Sequence, residues 1–173
     1  MCYNSQKAAQ QERCGKKEKY MEIERKFLTK EIPFDITVYP YQQMTQAYLS
    51  FSPTIRIRQA EDAYILTVKG KGHLAREEFE LPLRKEEYDR LFLKTEGTPV
   101  TKKRYLVPLE GGLTAEVDFY EGELAGLMTT EVEFPSLEAA EAFVAPAWFG
   151  KDVSEEKEYK NTSLSLYGMP KEP

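Results

Sequence analysis

The sequence predicts an α+β, mainly β domain: a closed eight-stranded antiparallel barrel with a charged interior and helices packed outside. Three observations carry this expectation. From Met21 onward, short runs alternate charged and apolar residues with a period of two, which puts the charges of each strand on one face. Turn residues separate these runs at hairpin spacing. Two further segments carry apolar stripes at helical spacing, and each stripe needs an apolar surface to cover, such as the outside of that barrel.

Taken in order, residues 1–20 are polar, basic and aperiodic, and are expected to form a disordered extension. Lys17 and Glu18 can be encoded by AAG GAG, a purine-rich ribosome-binding sequence a short distance before Met21. The native chain is therefore expected to begin at Met21, with residues 21–173 as a single domain. Strands are expected near Glu22–Leu28, Gln43–Ser50, Thr54–Gln59, Ala63–Lys71, Arg76–Leu83, Val100–Pro108, Leu113–Glu121 and Leu127–Phe134. Pro53, Glu61-Asp62, Gly70 and Gly72, Gly111-Gly112 and Glu121-Gly122 mark the connections, so a meander is the natural topology. "KEEYDRLFLKTEG" places Tyr88, Leu91 and Phe92 at helical spacing and ends at Gly97, a residue suited to stopping a helix. "PSLEAAEAFV" starts with Ser136 as N-cap and aligns Leu137, Ala140, Phe143 and Val144. A short helix is expected around Glu155–Tyr159, and Trp148 with Phe149 is expected to pack a loop against the barrel.

The 173 residues, 41% hydrophobic and 12% aromatic, suit one domain with a sizeable core. A net charge of -5 argues against a generic nucleic-acid binder. Both cysteines, Cys2 and Cys14, fall in the tail, so the rest of the chain is expected to fold without disulfides, as suits the cytoplasm. No run is apolar and long enough for a membrane span. With His73 as the sole histidine, in a Gly-rich turn, chemistry must run on carboxylates, Lys and Arg.

The charges fall in register. Glu22, Glu24 and Lys26 alternate with Ile23, Arg25 and Phe27; Arg56 and Arg58 with Ile55 and Ile57; Glu116 and Asp118 with Ala115, Val117 and Phe119; Glu131 and Glu133 with Thr130, Val132 and Phe134. Arg76, Glu78 and Glu80 share one parity, as do Lys69 with Thr67 and Lys102 with Arg104. A half-exposed antiparallel sheet with a wet face would show the same alternation. Two or three charges on nearly every strand, with few Thr, Ser or Gln among them, favour a charged bore instead. Such a bore needs its charges paired or met by a ligand. Arg and Lys suit phosphate oxygens and clustered carboxylates suit Mg²⁺ or Mn²⁺, so the expected ligand is a polyanion with divalent metal.

"EIERKF" resembles the Glu-x-Glu-x-Lys signature of the CYTH, or triphosphate tunnel metalloenzyme, family. The resemblance runs on through "TIRIR", "LTVKGKG", "REEFE", "KKRYLV", "AEVDFY", "TEVEF" and "YKNTSLS", over essentially all of residues 21–168. It implies a tunnel with the charged face inward and a metal site of Glu22 and Glu24 with Glu133 and, beside it, Glu131. It implies a phosphate-binding set of Lys26, Arg56, Arg58, Lys69, Lys102 and Arg104, while Arg76 binds phosphate or pairs with Glu78 and Glu80. Glu78, Glu80, Glu116 and Asp118 are then catalytic tunnel carboxylates, with Lys26 beside them, that orient bases, hold a second metal or activate water. Lys157, Tyr159 and Lys160 could close the tunnel or lie in solvent. The implied activity is metal-dependent hydrolysis of a small-molecule triphosphate, foremost inorganic triphosphate to pyrophosphate and phosphate. Hydrolysis of thiamine or nucleoside triphosphates, adenylyl cyclase activity and non-catalytic polyphosphate binding are the alternatives. No nucleic-acid or membrane partner is implied.

Overall fold

A computed structural model of the chain describes residues 23–69 and 78–171. The expected tail of residues 1–20, Glu22, and the Gly-rich turn with Lys71, His73 and Arg76 lie outside the described residues. The alternating runs form β1 (Glu24–Leu28), β2 (Tyr41–Phe51), β3 (Thr54–Ala60), β4 (Ala63–Lys69), β5 (Glu78–Leu83), β6 (Glu96–Pro108), β7 (Thr114–Tyr120) and β8 (Met128–Glu133). Three helices follow the stripes or the C-terminal run: α1 (Lys85–Phe92), α2 (Leu137–Ala142) and α3 (Asn161–Tyr167). No helix among the described residues is long and apolar enough to cross a membrane.

The strands make one antiparallel sheet in the order β1-β8-β7-β6-β2-β3-β4-β5. The expected simple meander is replaced by two. The runs β2 to β5 and β6 to β8 each fold back on themselves, join through β2 and β6, and leave β1 to pair with β8.

The expected closed barrel is not formed. β1 and β5 are the two ends of an open sheet. The reason lies at the outer edge of β1, whose backbone groups are taken by the segment Lys151–Ser154. Leu28 donates its N–H to the Lys151 carbonyl at 2.8 Å, Val153 donates to the Lys26 carbonyl at 2.8 Å, and Lys26 N–H donates to Ser154 Oγ at 2.9 Å. Phe27 bridges Asp152 in antiparallel sense. An edge covered in this way is closed to another strand over Lys26–Leu28. Arg25 fixes the strap by donating to Asp152 Oδ2 from Nε at 3.0 Å and Nη2 at 2.7 Å, while Nη1 reaches the Ala140 and Phe143 carbonyls, each at 3.1 Å.

The apolar parity of the strands forms the core. Phe27, Val107, Ala115, Val117, Val132 and Phe134 pack with Ala140 of α2 and with Phe149, beside which Trp148 stacks edge-on at 4.5 Å. Burying a side chain such as Phe149 contributes about 2 kcal/mol. α1 covers Ala47 and Ile57 with Tyr88. It stops at Phe92, short of Gly97, which instead lies in β6 with φ 69° and so close to α3 that a Cβ would meet the Ser165 carbonyl oxygen at 2.8 Å. α2 begins under the Ser136 cap, whose Oγ accepts from Ala139 N–H at 3.1 Å, and ends before Val144, which is exposed. α3 departs from the expected exterior packing. Its Leu164 rests on Val100 and Tyr120, which share parity with Lys102 and Asp118, so this helix covers one end of the charged face.

Gly150 has φ 80°, and a Cβ there would lie 2.2 Å from the Leu28 carbonyl oxygen. Gly150→Ala should therefore lower stability by about 3 kcal/mol in urea denaturation, because left-handed strain adds to a backbone clash against β1. A loss below about 1 kcal/mol would mean the strap is not seated on β1 as described.

Candidate active site

Cross-strand register determines which charges meet. Glu24 lies opposite Glu133 and Lys26 opposite Glu131 across β1 and β8; Glu116 lies opposite Glu131 across β7 and β8; Arg104 lies opposite Asp118 across β6 and β7. The sheet curves so that its charged face lines one cavity of about 850 Å³. Of the residues expected from sequence, Glu24, Lys26, Arg56, Arg58, Lys69, Lys102, Arg104, Glu116, Glu131 and Glu133 all line it. Asp118 lies behind that lining, fully buried. Glu80 is exposed and outside the lining, Glu78 contributes its backbone to β5 with its side chain outside the described residues, and Glu22 and Arg76 also fall outside them. Tyr159 and Lys160 line the cavity, whereas Lys157 does not.

The acidic half is built on Asp118. Its carboxylate receives Lys102 Nζ and a two-pronged contact from Arg104, with Nε to Oδ1 and Nη2 to Oδ2 both at 2.7 Å. Arg104 also pairs with Glu116 and Glu131. Glu131 holds Lys26 Nζ at 3.0 Å. Burial alone would raise the Glu131 carboxyl, yet the charges of Lys26, Arg104 and Lys102 hold it well below its ordinary 4.5. Burial likewise opposes the charge on Lys26 and Arg104, and the surrounding carboxylates overcome it and raise both. Glu116 differs. Burial pushes its carboxyl up, Arg104 pulls it down, and repulsion from Glu131, Glu133 and Asp118 leaves it raised.

The basic half is on β3 and β4. Arg56 and Arg58 form no ion pair among the described residues, and the Nε of each is buried without a hydrogen-bond partner. Burial and the neighbouring charge of Arg56 lower the Arg58 pKa. Two adjacent guanidiniums with unmet donors are the chemistry of an anion site. For a divalent cation the acidic half supplies hard oxygen donors in opposed pairs, Glu24 with Glu133 and Glu116 with Glu131. Repulsion from Glu131, Glu133 and Asp118 adds to burial in raising the Glu116 carboxyl, and a cation relieves that repulsion, so the donor set fits. Among the described residues, no three such side chains already converge as a metal shell.

Several neutral residues of the site were not singled out from sequence. Tyr120 Oη lies 3.4 Å from Lys26 Nζ and 3.1 Å from Asn161 Oδ1 of α3, and Gln46 Nε2 donates to Tyr48 Oη at 3.2 Å. Burial pushes Tyr48 up to about 12, so its hydroxyl is a neutral group of the wall. Parity was the available signal: Tyr120 follows Asp118 by two residues. Nothing in "DVS" announced that Ser154 would border the cavity.

A curved antiparallel sheet with guanidiniums on one wall and carboxylates on the other defines a class, the proteins that grip phosphoanhydrides through charge. The family model of the CYTH domain matches residues 21–165, and the chain belongs to that family. It is 40% identical over 146 residues to a protein of Nitrosomonas europaea named inorganic triphosphatase, covering 84% of this chain and 97% of that one. An inorganic triphosphatase of Acetivibrio thermocellus is 34% identical over 123 residues, 69% of this chain and 77% of that one. A crystal structure of an inorganic triphosphatase superposes with a TM-score of 0.67 at 37% identity, covering 85% of this chain and 95% of that chain.

Removing Asp118 takes the buried Lys102 away from its carboxylate and strips Arg104 of its two-pronged contact, so Asp118→Asn should cost about 3 to 5 kcal/mol in denaturant unfolding. A loss under about 1 kcal/mol would contradict the ion-pair assignment. Glu131 yields a pH prediction. Its folded pKa is depressed, so its contribution is present above the unfolded value and is lost as pH falls through the folded one. Between about pH 6 and about pH 3 the wild-type urea midpoint should fall more steeply than that of Glu131→Gln, and parallel curves would contradict this coupling.

Proposed function

We propose that this protein hydrolyses a linear triphosphate, inorganic triphosphate, to pyrophosphate and phosphate with Mg²⁺ or Mn²⁺. The observation that carries the proposal is the pair Arg56 and Arg58, which form no ion pair among the described residues, on the wall of a cavity whose other wall is acidic. Phosphoryl oxygens suit guanidiniums left without a carboxylate, and the guanidinium fork positions them. Two relatives named inorganic triphosphatase support the choice of substrate.

Each group of the chain has a stated part. Arg56, Arg58 and Lys69 hold the phosphoryl groups along β3 and β4, and Lys26, Lys102 and Arg104 present further positive charge from the acidic side. Asp118 does not face the cavity, because it is fully buried beneath Lys102 and Arg104; it fixes their positions. Glu116 lines the cavity with a raised pKa and is the carboxylate suited to take a proton from the attacking water. Glu24, Glu133 and Glu116 would hold the cation, which when bound neutralises charge on the phosphoryl oxygens. Among the described side chains, this assignment narrows the catalytic carboxylates to Glu116, with Asp118 in a positioning part.

Phosphate release should require Mg²⁺ or Mn²⁺ and be faster with triphosphate than with pyrophosphate, because bases on several strands can hold more than one phosphoryl group. Arg58→Ala should raise KM by more than about tenfold, and Arg58→Lys should restore it only in part, since an ammonium lacks the two-pronged contact. A steady-state assay finding equal rates on both substrates, or full rescue by Lys, contradicts the proposal.

A further inference from the structure

Thr67 is fully buried in the middle of β4, and the register places it directly between Arg56 of β3 and Glu80 of β5. Arg56 Nη2 donates to Thr67 Oγ1 at 3.3 Å, and Thr67 Oγ1 donates onward to Glu80 Oε1 at 3.3 Å. A hydroxyl has one proton to give and lone pairs to accept, so both contacts are made by the same oxygen without conflict. Glu80 itself is exposed and lies outside the cavity lining.

We infer that Thr67, backed by Glu80, is a positioning residue that holds the Arg56 guanidinium ready for a phosphoryl group. The inference rests on the triphosphate reading of the same cavity. A free arginine side chain samples many rotamers, and ordering it at the moment of binding weakens affinity. A direct pair with Glu80 would order it too, but would set a carboxylate against the incoming phosphate. The intervening hydroxyl separates these effects. It fixes one end of the guanidinium, keeps the carboxylate one residue farther from the cavity, and leaves Arg56 outside any ion pair among the described residues. Thr67 needs its hydroxyl for this, whereas its methyl group only packs. Glu80, which resembles a tunnel carboxylate in sequence, thereby acts through Thr67 and Arg56 and touches no reacting atom.

The test compares Thr67→Val, which keeps the shape, with Thr67→Ser, which keeps the hydroxyl, and with Glu80→Ala, an exposed change that removes the acceptor and should fold even if the Val variant does not. In ligand-free protein, nitrogen-15 NMR of the Arg56 Nε–Hε group should show faster guanidinium rotation and hydrogen exchange in Thr67→Val and Glu80→Ala than in wild type or Thr67→Ser. In kinetics with inorganic triphosphate, Thr67→Val should raise KM about tenfold with kcat within about twofold, and Thr67→Ser should return KM near wild type. In an Arg56→Ala background, Thr67→Val should add no further loss, because its effect passes through Arg56. Unchanged Arg56 dynamics in both variants, an additive loss in the Arg56→Ala background, or failure of Ser to restore KM would overturn the inference. If wild type releases no phosphate from triphosphate while Thr67→Val still loosens Arg56, the functional reading fails and the positioning contact stands.

Discussion

The Asp118 carboxylate is the constraint on which the rest of the structure depends. It is fully buried and bound by Lys102 and Arg104, both from β6. A charge in that position is tolerable only with its partners in place, so the register of β6 on β7 is set by electrostatics as well as by packing. Arg104 then extends to Glu116 and Glu131, and Glu131 extends to Lys26, which ties β1, β6, β7 and β8 into one network. Beneath it, Phe27, Val117, Val132 and Phe149 supply the dry side of the same strands. The acidic wall is therefore a rigid part of the sheet rather than a set of mobile side chains.

That rigidity produces an asymmetry with functional meaning. On the β6 to β8 side, Lys26, Lys102 and Arg104 are balanced by carboxylates; on the β3 side, Arg56 and Arg58 are not paired among the described residues. An anion entering the cavity meets its strongest unmet donors at β3, while the carboxylates opposite it offer oxygen ligands to a cation. The strap across β1 and helix α3 supply the remaining walls, with Ser154, Tyr159 and Asn161 at the cavity. Substrate binding, in this account, completes the charge balance of a wall that the described residues leave without ion pairs.

Much of this was legible in the sequence because a strand side chain alternates with period two, and on most strands here the alternation was charged against apolar. That rule located all eight strands to within a few residues and gathered ten of the expected site residues on one cavity. Closure was not legible. "KDVS" has no strand pattern, and its docking on β1 depends on backbone hydrogen bonds and on Arg25 reaching Asp152, partners far apart in sequence. α3 was missed because "NTSLSLY" buries only Leu164 and Ser165, too few positions for a stripe. Gly97 read as a helix stop because glycine takes positive φ without strain, but the same freedom, at φ 69°, serves a strand passing close to α3. Glu80 was expected among the tunnel carboxylates on its parity, and parity says which face a residue is on without saying how near the centre it lies.

The central claim is that the guanidiniums of Arg56 and Arg58, without an ion pair among the described residues, are the phosphate-holding wall of the cavity. A crystal structure of the protein with inorganic triphosphate and a divalent cation tests it most directly. Phosphoryl oxygens within hydrogen-bonding distance of both guanidiniums, with the cation among Glu24, Glu133 and Glu116, is the arrangement this account predicts. Triphosphate bound outside the cavity, or inside it with Arg56 and Arg58 both turned away, would contradict it.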